Sequence, residues 1–109
     1  MKIKKFLLIL ISSFLFNSHT SFADEAKMMK GLEIFNETAG CAACHVLKAA
    51  GSEGNIGPNL DTVEGLNYDT VMDIVTHGLG VMPAFGEDEI LTKDQIDIVS
   101  FYVANSVNK

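Results

Sequence analysis

The 109-residue chain has no arginine, and its eight lysines face fourteen acidic residues. Binding to phosphates needs clustered cations, so nucleic acid is excluded as a partner. Cysteine is nearly as scarce, with Cys41 and Cys44 the only two. A disulfide between them would close a tiny loop and stabilise little, because the effect shrinks with loop length. The two prolines, Pro58 and Pro83, stand in separate loops and mark no linker. No repeat or low-complexity tract occurs, so a single domain is expected. No segment alternates convincingly with period two, which removes β architectures and leaves an all-α fold.

Long apolar runs are missing as well. The longest, Phe6 to Phe16, is broken by Ser12 and Ser13 and falls well short of the about 20 residues needed to span a bilayer. Lys2, Lys4 and Lys5 precede it and Ser21-Phe22-Ala23 follows it, which is the pattern of a secretory leader cleaved after a small residue. Residues 1–23 are therefore expected to be a signal peptide and residues 24–109 the exported domain, periplasmic and without a membrane span. No cysteine follows the apolar run to carry a lipid anchor. Loss of the three leader lysines leaves five lysines against fourteen acids, a formal charge of −9. The acids are spread along the chain, and solubility explains them as well as steering does.

The two cysteines fall in Cys41-Ala42-Ala43-Cys44-His45. A zinc site needs four protein ligands; only His77 remains as a fourth, and His45 is too close to Cys44 for easy tetrahedral chelation. A dithiol redox module would set its CxxC at a helix start after a strand, and no β-branched run precedes residue 41. The remaining chemistry is covalent attachment of haem c, with both thiols joined to the porphyrin edge and the next histidine carried beneath the iron. One turn of chain lets two sulfurs reach neighbouring substituents of one ring.

A second axial ligand is expected from a distant loop, and Gly80-Val81-Met82-Pro83-Ala84-Phe85-Gly86 offers Met82, 37 residues beyond His45. The proline and flanking glycines suit a shaped loop better than a packed helix face. His77 is the competing donor, but it stands at an expected helix end before Gly78, where it caps carbonyls. Histidine–methionine ligation favours ferrous iron and leaves no open position for substrate, which suits electron transfer and not catalysis. Upstream, Gly57-Pro58-Asn59-Leu60 places the Pro58 carbonyl to accept from the ring nitrogen of His45 that does not face iron.

Three helices are expected. The first runs from about Glu25 to Thr38, with Asp24 as N-cap and Met28, Leu32, Phe35 and Ala39 inward. The second runs from Tyr68 to His77, capped by Asn67 and stopped by Gly78, with Val71, Ile74 and Val75 inward. The last runs from Lys93 to about Ser106, opened by a Thr92/Gln95 capping box with Leu91 and Ile96 at the staple positions. Its apolar face carries Ile96, Val99, Tyr102 and Val103, and Tyr102 is the expected partner for the gap at Gly31.

Gly31 and Phe35 in the first helix, the Cys41–His45 motif, Gly57-Pro58-Asn59-Leu60, Val81-Met82-Pro83-Ala84-Phe85 and Tyr102 together resemble a class I monohaem cytochrome c. The chain is close to the small bacterial domains found fused to or associated with respiratory oxidases and dehydrogenases. The resemblance implies three to four helices around one covalent haem c, with crossed first and last helices. It implies thioethers at Cys41 and Cys44, His45 and Met82 as axial ligands, and Phe85 against the haem. The expected role is a monomeric single-electron carrier serving a membrane oxidase or reductase or a periplasmic dehydrogenase. The alternatives are a haem subunit of such a dehydrogenase complex and a haem-free dithiol module. An exposed apolar window of Ala42, Ala43, Ala84 and Phe85 is expected beside the haem edge. Docking through a ring of lysines is not, because too few lysines remain.

Overall fold

Helix α3, Lys93–Ser106, has the bounds expected of it. Thr92 Oγ1 accepts from Gln95 N at 3.2 Å, while Gln95 Oε1 accepts from Thr92 N at 2.9 Å. Two otherwise orphaned amides are thereby satisfied. Ile96, Val99, Tyr102 and Val103 are all buried, as is Leu91 before the cap. The computed structural model describes residues 21–109; residues 1–20 of the expected 1–23 leader lie outside them.

Helix α2, Tyr68–His77, also keeps its expected limits, with Asn67 Oδ1 accepting from Thr70 N and Gly78 ending the helix at φ 75°. Val71 and Val75 are buried and Ile74 is half-buried. Helix α1 differs from expectation at both ends. It spans Ser21–Glu33, so Asp24 lies inside the first turns and is not its N-cap. From Ile34 to Thr38 the chain widens into a π turn, closed by Ala39 N donating to Ile34 O. The wider turn buries the consecutive residues Ile34 and Phe35 together, which a 3.6-residue period does not anticipate.

Helices α1 and α2 both pack on α3. The two helices α1 and α3 approach closely at Gly31: a Cβ there would stand 2.3 Å from Tyr102 Cβ and 3.1 Å from Ile98 O. The Phe35 and Tyr102 rings meet beside it, centroids 6.0 Å apart and tilted by 55°, a favourable aromatic geometry. A polar clamp joins the three helices at the surface. The Tyr68 hydroxyl of α2 donates to Asp97 of α3, Lys27 of α1 pairs with Asp97 at 3.0 Å, and the Lys27 ammonium lies 4.7 Å from the Phe101 ring centre. The Tyr68 hydroxyl and Lys27 hold the Asp97 carboxyl below its ordinary range.

The fold is helical, with one small exception. Val46–Leu47 (β1) and Ser52–Glu53 (β2) form a two-stranded antiparallel hairpin, Val46 opposite Glu53 and Leu47 opposite Ser52. Strands of two residues are too short to show a period in sequence. Leu47 is fully buried, and the buried Ser52 hydroxyl accepts from Leu47 N at 2.9 Å. No helix among the described residues is long and apolar enough to cross a membrane.

Candidate functional site

The chain leaves the π turn and winds one tight turn over Cys41–Ala43. Cys44 N and His45 N both donate to Cys41 O, at 3.1 and 3.0 Å. This turn carries Cys41, Cys44 and His45 together. Both cysteines are free thiols. Cys41 packs against the core cluster, and burial, reinforced by the neighbouring Cys44, pushes its thiol up to about 11 against the lowering effect of a backbone hydrogen bond.

The loop from Gly54 to Leu60 wraps this turn so closely that two of its residues are held to glycine. A Cβ at Gly54 would lie 2.6 Å from the Ala43 carbonyl, and one at Gly57 would lie 2.5 Å from His45 Cε1. Gly57 N donates to Cys44 O at 2.7 Å. The next residue presents its carbonyl to the imidazole, with His45 Nδ1 and Pro58 O 2.7 Å apart. A carbonyl only accepts, so Nδ1 carries the proton, and in the neutral ring Nε2 is left with its lone pair. Nε2 has no hydrogen-bond partner among the described residues. Asp61 anchors the end of the loop, its carboxylate accepting from Lys48 N and Asn108 N, each at 2.9 Å. Those two bonds lower its pKa.

Met82 sits in a separate turn. Leu79 and Met82 exchange backbone hydrogen bonds across Gly80, at 3.0 and 3.3 Å. Gly78 and Gly80 hold φ of 75° and 59°, a region that glycine enters without strain. Beyond it, Phe85 N donates to Val75 O and Gly86 N to Thr76 O, fastening the loop to the end of α2. No hydrogen bond joins this loop to the His45 loop among the described residues, but Met82, Cys41 and Ala42 pack against the same buried cluster.

Phe85 belongs to that cluster and is only 8% exposed. It therefore forms no part of an exposed window, in contrast to the expectation for Ala42, Ala43, Ala84 and Phe85. Its backbone bond to Val75 turns the ring inward, and the exposed apolar residues of the loop are Leu79 and Val81 instead. The packing roles of Gly54 and Gly57 are not legible in the sequence. The only signal was glycine density, which does not tell a close approach from a flexible turn.

His77 lies apart from the two cysteines. Its Nδ1 bonds Glu87 at 2.5 Å and its Nε2 lies 3.6 Å from Asp73. The bond to Glu87 raises its pKa above the ordinary 6.5; desolvation opposes the rise, and the charges of Glu87 and Asp73 add to it. A histidine whose folded pKa exceeds its unfolded one stabilises fully below the unfolded value and loses that contribution as pH rises through the folded one. The melting-temperature difference between the parent and His77→Gln is therefore expected to be largest near pH 6 and to shrink above neutrality. A difference constant from pH 5.5 to 9 would contradict this assignment.

Residues 26–103 match the family model described as cytochrome c oxidase, cbb3-type, subunit III. The chain is 40% identical over 92 residues to the cbb3-type cytochrome c oxidase subunit CcoP of Azospirillum sp. (strain B510), an alignment covering 70% of this chain and 29% of that subunit. It is 35% identical over 94 residues to cytochrome c6 of Gloeothece citriformis (strain PCC 7424), covering 82% of this chain and 78% of that one. Among solved structures, the c-type cytochrome SorU from Sinorhizobium meliloti superposes with a TM-score of 0.70 at 41% identity, over 78% of this chain and 95% of that one. The chain belongs to the class I c-type cytochromes. It is an electron carrier of a haem c family, although it spans less than a third of the oxidase subunit it matches.

Proposed function

We propose that the chain is a soluble single-electron carrier with one covalently bound haem c, held by thioethers at Cys41 and Cys44 and ligated axially by His45 and Met82. One observation carries this reading. The bond from His45 Nδ1 to Pro58 O, with Gly57 packed against the ring, fixes the plane of the imidazole and leaves Nε2 as its one uncommitted donor atom. That is the arrangement an axial ligand needs, since the partner on the far nitrogen sets both the tautomer and the basicity of the ring. The donor chemistry fits the group as well: two unpaired thiols and an imidazole on one turn, and a thioether on a loop shaped by two left-handed glycines.

Haem c in this position supplies one-electron exchange between ferric and ferrous iron. The protein residues do the remaining work. Cys41 and Cys44 tether, Pro58 orients His45, Met82 closes the second axial position against substrates, and the buried Phe85 helps to keep water from the site. The dithiol alternative is weakened by Cys41, because a reactive dithiol needs a depressed thiol pKa and burial moves this one upward. Export after cleavage behind Ala23 places the carrier in the periplasm, with a membrane oxidase or reductase, or a periplasmic dehydrogenase, as its redox partner. The likeness to an oxidase subunit favours a second reading, a haem subunit of a larger redox complex. Co-purification with other chains separates the two.

The test is expression with its leader in a host competent for haem attachment. The expected product begins at Asp24, gains the mass of one haem that survives denaturation, and shows a Soret band. A Cys41→Ala/Cys44→Ala control is expected to lose the covalent adduct. A mature chain with two titratable thiols and no visible absorption would end the proposal.

A further inference from the structure

Val81 is 90% exposed and Leu79 70% exposed, at the tip of the turn that carries Met82. Two large apolar side chains projecting from a short, hydrogen-bonded turn are not explained by folding. Acids predominate in the chain around them, with His77 the titratable base between Glu87 and Asp73. Between Lys48 and Lys93 the chain has no lysine and no arginine, but it has eight acidic residues, among them the run Glu87-Asp88-Glu89. The fold brings that run to the base of the turn. Glu87 N donates to Thr76 O, the Glu87 carboxylate bonds His77, and Gly78 then opens the turn to Leu79. Asp73, on the same end of α2, lies on the other side of the His77 ring. Glu87, Asp88, Glu89 and Asp73 are all exposed. Two of the cations are already paired elsewhere, Lys27 with Asp97 and Lys30 with Glu33.

We propose that the Leu79–Val81 tip, rimmed by Asp73, Glu87, Asp88 and Glu89, is the docking surface for a redox partner whose own electron port is a small apolar patch ringed by lysine or arginine. The proposal rests on the electron-carrier reading above and adds to it the location and the charge of the contact. Two exposed side chains make a contact small enough to part quickly, as a carrier requires. The acids add long-range attraction, which acts on the encounter rate and weakens with salt. A second copy of this chain would meet acid with acid, so self-association through this face is disfavoured.

The experiment follows oxidation of the ferrous holoprotein by stopped flow with two trivalent probes. Tris(phenanthroline)cobalt(III) is a cation with an apolar aromatic surface, and ferricyanide is an anion. At about 10 mM salt, Glu87→Gln/Asp88→Asn/Glu89→Gln is expected to slow the cobalt reaction by roughly 3- to 10-fold and to speed the ferricyanide reaction, with both effects fading by about 0.5 M salt. Asp24→Asn/Glu25→Gln/Glu33→Gln makes the same change in net charge on α1 and is expected to move either rate by less than 2-fold. Val81→Ser is expected to slow the cobalt reaction and to leave reduction of the ferric protein by hexaammineruthenium(II), a cation without aromatic surface, within 2-fold of the parent. Asp88→Asn/Glu89→Gln spares the His77 bond and is expected to retain most of the effect should the triple variant unfold.

Equal effects of the two triple variants would overturn the surface while a normal Soret band left the carrier reading intact. A concentration-dependent dimer abolished by Val81→Ser would overturn it in favour of self-association. A colourless product would overturn the carrier reading and this proposal with it.

Discussion

Replacing Gly31 by alanine is expected to lower the melting temperature by about 8–16 °C, in a substitution that would raise it on an exposed helix face. Two opposing effects set the sign. Alanine gains about 1 kcal/mol over glycine within a helix. Against this, the new methyl carbon would stand 2.3 Å from Tyr102 Cβ and 2.9 Å from Tyr102 Cγ, distances that no rotamer change relieves because Cβ is fixed to the backbone. Helices α1 and α3 must therefore separate, which disturbs the Phe35–Tyr102 contact and the fully buried Ile34 and Val99. Overpacking of this kind costs up to about 3 kcal/mol. The net loss is about 2 kcal/mol, and in a domain of this size each kcal/mol moves the midpoint by about 4–8 °C. Calorimetry of the parent and Gly31→Ala, both carrying haem, measures it directly. An unchanged or higher midpoint would mean that the two helices do not cross at this residue.

The same contact shows what a sequence discloses. Gly31 and Tyr102 are 71 positions apart, yet each is conspicuous locally: a glycine inside a helical period, and an aromatic ring on the apolar face of a helix opened by a capping box. Helices α2 and α3 were legible to the residue because their ends are written in side chains, with Asn67 and Gly78 for one and Thr92 with Gln95 for the other. The start of α1 was not. Asp24 has the chemistry of a cap, but a capping side chain acts only where the preceding backbone leaves the helix, and in the uncleaved chain the helix already includes Ser21–Ala23. The π turn at Ile34–Thr38 and the hairpin at Val46–Glu53 depend on long-range burial of Ile34 and Leu47, which local periodicity does not encode.

In the candidate site, residue types were easier to read than their surroundings. Adjacency fixes Cys41, Cys44 and His45 on one turn whatever the rest of the fold does. The inward turn of Phe85 depends on a hydrogen bond from its amide to Val75, ten positions back, and nothing in the loop's own composition announces that bond. The acids at 87–89 look unremarkable in a chain with fourteen of them. They become a feature only when the fold sets them at the base of the Met82 turn.

Met82→Ala is expected to change the chemistry of the holoprotein more than its fold. The turn is held by the reciprocal Leu79 and Met82 backbone bonds, by the positive φ of Gly78 and Gly80, and by the amides of Phe85 and Gly86 on α2; none of these uses the Met82 side chain. Far-UV circular dichroism should therefore stay the same, with a loss of about 1–2 kcal/mol because the thioether is only half-buried. The spectrum should shift from low to high spin, and the ferrous protein should take up carbon monoxide, which the parent is expected to exclude. The reduction potential should fall, since the soft thioether that favours ferrous iron is gone. Met82→His separates ligand identity from ligand presence: low spin and exclusion of carbon monoxide should return while the potential stays below that of the parent. If Met82→Ala keeps the parent spectrum and potential, the sixth ligand is another residue. His77 is then the first to test, although its two ring nitrogens already face Glu87 and Asp73.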